Sequence, residues 1–323
     1  MSKLHQLVSC LAACAAFTLS LPAMAQAYPS KPIKLIAGFA AGGPADAIAR
    51  SIGKALEDEL KQPVVVENRT GATGLVAMEA ITTAAPDGYT IGLLANTTTN
   101  ALHFQNKKLD VDQRFTPVGR FVSTRILLVT NPKMVDAKNM EEFVAHARKN
   151  PGMNVTSAGH GGLGHLGLEL FALEQKLTLT HVAYRGSAPA MQDVIAGQIP
   201  AMVIDATTAQ PHVQAGSLRA IAFASTDRSP SMPDLQTALE QGYKSLQIDS
   251  SMGIVLPPKT PQPIVDRMRA ALKAAVNSAG YTEAATKHGN ARAFMDADAF
   301  KAWLQSDFDR YGEVIRTANI KAQ

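Results

Sequence analysis

The sequence predicts an α/β fold built as two lobes joined by two crossover strands. Three features carry this reading. Short apolar runs alternate with helix-period segments from residue 33, a second set of the same kind opens at residue 126, and helix patterns without strands follow residue 256. At 323 residues the chain is longer than one hydrophobic core usually holds, since single cores stop growing near about 250–300 residues. With 46% hydrophobic and 18% charged residues it has ample core material and too little charge for a disordered polymer.

The first strand is Ile33-Lys34-Leu35-Ile36-Ala37, and Gly42-Gly43-Pro44 turns it into a helix. Ile48, Ile52, Leu56 and Leu60 recur every four residues with Ala49 and Ala55 alongside, while Arg50, Lys54, Glu57 and Asp58 fall on the opposite side. Pro44 suits the first helical turn, where its missing N–H would have no partner anyway. Val64-Val65-Val66 makes a second strand, residues 74–84 a second helix stopped by Pro86-Asp87-Gly88, and residues 89–94 a third strand. That βαβαβ order implies a parallel sheet.

The chain reads as irregular through Pro117, and Ile126-Leu127-Leu128-Val129 opens the second set. Helices over 140–148, 163–173, 188–196 and 209–213 are interleaved with strands over 154–157, 179–183, 201–204 and 218–224. The chain crosses back near 246–256, through Gly253-Ile254-Val255-Leu256, and ends in helices marked by Ile264, Met268, Leu272 and Val276, then Phe300, Trp303, Leu304, Phe308 and Val314. Having no sheet of their own, these helices are expected to cover the N-terminal one. The division is therefore residues 26–125 plus 250–323 for lobe 1 and 126–249 for lobe 2. No fixed-period repeat, low-complexity tract or heptad run is present.

Residues 1–25 read as a secretory signal peptide: Lys3, an apolar stretch from Leu7 to Leu21, then Pro22-Ala23-Met24-Ala25, with cleavage expected after Ala25. Both cysteines, Cys10 and Cys14, fall inside it, so the mature chain has no thiol, disulfide or cysteine metal site. Leu11-Ala12-Ala13-Cys14 also has the form of a lipobox, but cutting there would leave most of the apolar stretch in the product. Beyond the leader no run approaches the roughly 18 apolar residues of a membrane span. The expectation is an exported, dissolved protein of the periplasm. Lys and Arg number 31 against 27 Asp and Glu, a net charge of +4 without a basic run, which excludes the electrostatic footprint of a nucleic-acid binder.

Two glycine-rich turns stand where strands lead into helices. Phe39-Ala40-Ala41-Gly42-Gly43-Pro44-Ala45-Asp46 follows the first strand, and Ser157-Ala158-Gly159-His160-Gly161-Gly162-Leu163-Gly164-His165 follows a strand of the second set. A helix's first turn has N–H groups without partners and roughly half a positive charge, so such turns bind anions. The plainer reading of the first is a tight turn with Asp46 offsetting the helix dipole. Residues 159, 161 and 164 spell G-x-G-x-x-G, but the acidic residue a dinucleotide site needs about 20 positions on is replaced by Val182-Ala183-Tyr184-Arg185. His160, His165 and His181 have no zinc-site spacing, no H-E-x-x-H or G-x-S-x-G occurs, and no Walker lysine follows Gly71-Ala72-Thr73-Gly74. The sequence thus points to a binding protein without a cofactor or metal rather than an enzyme.

Tyr28-Pro29-Ser30-Lys31-Pro32-Ile33, the Phe39–Asp46 turn and Ala49-Arg50 resemble the opening of the Bug family, the substrate-binding proteins of tripartite tricarboxylate transporters. Further matches follow in family order: Val66-Glu67-Asn68-Arg69 with Gly71-Ala72-Thr73-Gly74, Ala85-Pro86-Asp87-Gly88-Tyr89-Thr90, Ser157 to His165, and His181 through Tyr184-Arg185-Gly186 to Pro189-Ala190 and Asp193. The resemblance covers essentially the whole mature chain. It implies a two-lobed periplasmic binding protein of type II, a Venus flytrap with two crossover hinge strands, that closes over a small carboxylate and passes it to a membrane permease. It also implies a pocket drawn from Phe39, Ala41, Gly43, Asp46, Asn96, Thr97, Thr98, Ser157, Gly159, Gly162, Arg185 and Asp205, with His165 as a structural or pocket hydrogen-bonder. As plainer alternatives, Asn96 and Thr97 could cap a helix and Arg185 could pair on the surface.

Where the family commonly has an aromatic residue before the glycine at 253, this chain has Ser250-Ser251-Met252-Gly253, so Ser251 is expected to meet a polar ligand group. Asp46 and Asp205 suggest bridging waters or a ligand amino or hydroxyl group. Di- and tricarboxylates, amino acids, hydroxy acids and aromatic acids all fit this reading. The partners implied are that carboxylate and the transporter's permease subunits, the protein being a monomer. A ligand sensor that signals to a membrane protein would use the same closed form.

Overall fold

Apolar strands that alternate with amphipathic helices sort here into two sheets, each with its own core on both faces. The computed structural model describes residues 28–320 except Arg185, Pro230, Asp249, His288 and Gly289. The expected leader, Cys10, Cys14 and the expected ligand residue Arg185 lie outside the described residues. In chain order the first elements are β1 (Ile33–Ala37), α1 (Pro44–Leu60), β2 (Val64–Asn68), α2 (Leu75–Thr82), β3 (Thr90–Ala95), α3 (Asn96–Asn100), α4 (Val111–Arg114) and β4 (Thr116–Thr124). The second set is β5 (Ile126–Thr130), α5 (Met140–Lys149), β6 (Met153–Ser157), α6 (Leu163–Gln175), β7 (Leu179–Ala183), α7 (Ser187–Ile195), β8 (Ala201–Asp205), α8 (Ala206–Gln214) and β9 (Arg219–Phe223). The chain then returns through β10 (Ser250–Leu256), α9 (Gln262–Asn277), α10 (Ala279–Lys287), β11 (Asn290–Met295) and α11 (Ala297–Thr317).

The first sheet has the order β11-β4-β10-β3-β1-β2 and the second β7-β6-β8-β5-β9. β1 runs parallel to β2 and β3, as the βαβαβ order requires, and β6 runs parallel to β7 and β8. β10 is antiparallel to β3 and β4, and β5 is antiparallel to β8 and β9. Side-chain alternation divides β1 between two cores. Leu35 joins Ile52 and Leu56 of α1 and Met268 and Leu272 of α9, whereas Ile36 joins Ile81 of α2 and Phe300 and Leu304 of α11. Each such fully buried aliphatic side chain contributes roughly 1.5–3 kcal/mol. Among the described residues no helix is long and apolar enough to cross a membrane.

Three elements depart from the sequence reading. β4 occupies the stretch read as irregular, because Pro117, Gly119 and Arg120 obscure its apolar pattern; the pairing with β10 is irregular between Ile254 and Val255, next to Pro117. Buried Arg120 is retained there by donating to the Ala293 carbonyl (3.1 Å) and the Ser251 hydroxyl (3.2 Å). β11 adds an edge strand to the first sheet, so the C-terminal segment is not purely helical. Finally, α11 is not confined to the first core: Phe300, Leu304 and Phe308 pack there, but Tyr311 belongs to the second core, with Ile315 and Ile320 against it.

The two sheets are therefore tied at three places. Only Arg125 separates β4 from β5, residues 246–250 carry the chain back, and α11 spans both cores. β10 is packed closely where it meets α11. A Cβ on Gly253 would sit 2.3 Å from Phe300 Cζ and 2.7 Å from the Gly119 carbonyl oxygen. Gly253→Ala is therefore expected to destabilise the protein by about 1–3 kcal/mol, as overpacked cores do, visible as a fall of several degrees in Tm.

Candidate ligand-binding cleft

In open α/β sheets ligands bind beyond the carboxyl ends of the strands, where the connecting turns gather. A cavity of about 250 Å³ lies at that position. Its walls are Thr97 from α3, Ile126 at the crossover, the Ser157–Gly159 and Gly162–Gly164 segments, Ser187, the Val203–Asp205 end of β8, and Ile248 and Ser250 on the return path. A second cavity of about 380 Å³ shares Thr97, Gly162 and Leu163 and extends past Leu75, Phe104, Gln105 and His160. Gly161 (φ +68°) lets the two bodies meet there, since a Cβ would lie 2.8 Å from the Phe104 ring.

The cavity's polarity comes from backbone. α6 starts after Gly162, α7 after Gly186 and α8 after Asp205, and none of these positions supplies a side-chain acceptor for the first-turn N–H groups. Helices α4, α5 and α11 start away from the cavity and are capped by Asp110, Asn139 and Asp296, which accept from the N–H groups of Gln113, Glu142 and Ala299. Each open helix start favours an anion by about 0.3–1 kcal/mol when exposed and up to about 2 kcal/mol when partly buried. No Lys or Arg is among the cavity's described lining residues.

Of the residues named from sequence, Thr97, Ser157, Gly159, Gly162 and Asp205 line this cavity together. Burial pushes the Asp205 carboxyl above its ordinary range, and its own backbone N–H only partly opposes this. Ser157 is buried; its hydroxyl lies 3.2 Å from the Gly159 carbonyl and 2.8 Å from His181 Nε2. Burial, then the neighbouring His165 and His160, lower the His181 pKa to about 3. The Ser157–His181 hydrogen bond ties the turn after β6 to β7. His165 is buried behind the same turn, where its Nδ1 accepts from the Gly161 N–H at 3.0 Å.

The other expected ligand residues have different duties. Asn96 donates to Asp307 (3.0 Å) and accepts from the Ser251 N–H (3.2 Å), clamping α3 to α11 and β10, so it does not face the cavity. Thr98 is buried against Gly74. Neither Asn96 nor Thr97 caps α3, whose cap position is Ala95. Ser251 turns inward to Arg120, and Ser250, on the opposite face of the strand, reaches the cavity instead.

Phe39, Ala41 and Gly43 lie in the turn after β1 and outside the lining of both cavities. Gly43 precedes α1 with no side-chain cap. The Asp46 carboxylate accepts from Gly42 N–H and Arg50 Nε (both 2.9 Å) and from Asn68 Nδ2 (2.8 Å). These contacts hold the turn, as in the plainer reading of its sequence.

Ile126, Leu163, Gly164, Ser187, Ile248 and Ser250 line the cavity without having been singled out from sequence. Gly164 and Ser187 carried a local signal, as a glycine and a serine opening helices. The apolar walls did not, because an isoleucine in a strand looks the same whether it faces a core or a cleft.

Two sheets, two crossovers and a cleft of open helix starts define a two-lobed solute-binding protein. Residues 48–320 match the model of the TctC family, the tripartite tricarboxylate transporter family receptors, and the chain belongs to that family. It is 29% identical to Protein BugT of Bordetella pertussis over 94% of each chain. Among solved structures it is similar to a TctC solute-binding protein from Polaromonas, with 26% identity, a TM-score of 0.79, and coverage of 90% of this chain and 99% of that one. MatC of Rhodopseudomonas palustris, solved with malate, gives 29%, 0.70, 89% and 100%. Another R. palustris protein, solved with adipate, gives 25%, 0.73, 91% and 99%.

The Arg50 guanidinium first, then the Gly42 N–H, hold the Asp46 carboxyl down to about 2, below its ordinary 3.8. A depressed carboxyl contributes stability that is fully present above its unfolded value and is lost as pH falls through its folded value. Asp46→Asn is accordingly expected to lower Tm at pH 7 and to lose less stability than the parent between pH 4 and pH 2. Thermal unfolding across that range is the check.

Proposed function

We propose that this protein captures a small aliphatic carboxylate, with dicarboxylates as the central candidates, between its lobes in the periplasm and delivers it to the permease subunits of a tripartite tricarboxylate transporter. The observation that carries this is the convergence of three uncapped helix starts on one cavity whose described lining has no cation. Backbone N–H groups can hold carboxylate oxygens without the desolvation a buried lysine would suffer. At about 250 Å³ the cavity is smaller than the roughly 300–1,000 Å³ of drug-sized sites, which favours a small acid. Ile126, Val203, Ile204 and Ile248 suit a methylene chain, and burial, which raises the Asp205 pKa, favours the neutral carboxyl that can donate to a second carboxylate. Malate and adipate in related structures agree with this class. Lobe 1, residues 26–125 plus 250–323, closes on lobe 2, residues 126–249, by bending at Arg125 and the 246–250 return, and export depends on cleavage after Ala25.

Thermal unfolding of refolded, ligand-stripped protein against mono-, di- and tricarboxylates, amino acids and aromatic acids tests the reading. A ligand at 100-fold its Kd adds about 2.7 kcal/mol, a rise of several degrees. A response confined to aliphatic dicarboxylates is expected, and a flat panel overturns the proposal. Gly162→Val and Gly43→Val place a side chain over an open helix start at backbone angles valine tolerates. Each is expected to weaken binding at least about tenfold with little change in the ligand-free Tm. Retained binding in Gly43→Val would remove the β1 turn from the site.

Asp205 adds a pH signature. Its folded pKa is raised, so it is neutral at low pH and ionises beside the bound carboxylate as pH rises. Affinity is expected to fall more steeply in the parent than in Asp205→Asn, by up to roughly tenfold, as pH rises above the ordinary carboxylate range. Calorimetry on both proteins with one ligand measures the difference.

A further inference from the structure

Three histidines far apart in sequence meet behind the second glycine turn. His160 lies in that turn, His165 in the first turn of α6 and His181 in the middle of β7, and one ring nitrogen of each lies within 4.8 Å of the others. The topology makes this meeting. Parallel pairing of β6 and β7 sets His181 opposite Val155, and the turn after Ser157 folds back over it. The His165 and His181 rings stack at 3.9 Å and 17°, and the His160 ring is 4.7 Å from that of His165. Carboxylate binding at open helix starts has no need of three converging imidazoles.

The hydrogen bonds fix which nitrogens can act as ligands. The Gly161 N–H donates to His165 Nδ1, so that nitrogen has a lone pair and Nε2 carries the hydrogen, 3.4 Å from the Glu169 carboxylate. With the Ser157 hydroxyl hydrogen directed to the Gly159 carbonyl, His181 Nε2 donates to Ser157 Oγ and Nδ1 has the lone pair. In His165 and His181 one nitrogen thus faces a carboxylate or hydroxyl while the other has the lone pair, that of His165 being engaged by the Gly161 N–H. Metal-binding histidines show this same division, with an outer partner orienting the ring.

We propose that His160, His165 and His181 bind a first-row transition-metal ion of the zinc class beside the anion cleft. Three imidazoles select zinc, nickel or copper over magnesium and calcium, which require oxygen ligands. Nitrogens held at about 2.0–2.1 Å from one tetrahedral ion stand roughly 3.4 Å apart, so the cluster must tighten by up to about 1.4 Å. Because a bound ion lies in the plane of each ligating ring, the His165–His181 stack must also open; that unstacking, loss of the Gly161 bond to His165 and rotation of His160 on the partly exposed turn supply the movement. The fourth position opens toward the larger cavity, which His160 lines. Glu169 and Ser157 act as the outer shell.

Untagged protein, freed of metal by chelation and moved into a non-coordinating buffer, is titrated with zinc chloride by calorimetry. One ion per chain with a micromolar Kd is expected, while magnesium chloride gives no saturable heat. His160→Gln and His181→Gln should each weaken zinc binding about tenfold or more, and His146→Gln on α5 should leave it unchanged. His160→Gln lies on the partly exposed turn, which keeps the test independent of folding, and Tm of each variant verifies this. No saturable binding below roughly 100 μM, or binding that survives in both cluster variants, overturns the proposal. Carboxylate binding by the same preparation reports on the cleft separately.

Discussion

The first turn of a helix carries N–H groups that nothing in the helix can satisfy, and this protein's architecture turns on where those groups are left open. Away from the cavity Asp110, Asn139 and Asp296 close them with their own side chains, while α1 and α9 follow Gly43 and Pro261 without a side-chain cap. Around the cavity the same positions hold Gly162, Gly186 and Asp205, which leave them open. An open helix start is unfavourable unless water or an anion meets it. The sheets bring several such starts to one place because parallel strands end at the same edge, and each is followed by a helix. The binding property is therefore a consequence of strand order and cap chemistry together.

The cleft is held in shape by a polar clamp built from elements distant in sequence. Asp307 on α11 accepts from Asn96 and Asn100 of α3, each at 3.0 Å, and pairs with Arg310, which also donates to the Gln247 carbonyl at 3.0 Å. Burial raises the Asp307 pKa, opposed by Arg310 and the two asparagines. The network is not fully satisfied, since Asn100 Oδ1 is buried without a hydrogen-bond partner. Here it joins α3, α11 and the return crossover, the segments that meet between the two cores. α11 is thus a third tie between the two sheets, beside the two crossovers.

The parallel cores were legible in the sequence because period-2 and period-3.6 apolar patterns are local. β4 and β11 were not, since Pro117, Gly119 and Arg120 interrupt one and Asn290-Ala291-Arg292 opens the other without an apolar run. The glycine turns were legible as strand-to-helix turns because glycines and a following helix pattern are local signals. The identity of wall residues was not: Ser250 and Ser251 are adjacent, and only the pairing of β10 with β4 decides that Ser251 meets Arg120 while Ser250 meets the cavity. Asp46 shows the same limit. An acid after a glycine pair can serve ligand or fold, and the positions of Asn68 and Arg50 decide.

The histidines extend this point from walls to chemistry. Spacings of five and sixteen residues match no local metal motif, yet β6 and β7 bring His181 beneath a turn that carries His160 and His165. Local motifs arise when one helix or one loop supplies neighbouring ligands; a parallel pair of strands supplies them from any distance in sequence. The glycines that open the helix start for an anion also make the turn tight enough to fold over β7, with Gly161 at φ +68° accepting the Phe104 ring on its outer side. One backbone conformation thus sets the Gly162 helix start and His160 toward the cavities and His165 and His181 behind the turn. Ser157, which lines the smaller cavity and hydrogen-bonds to His181, is the physical link between them.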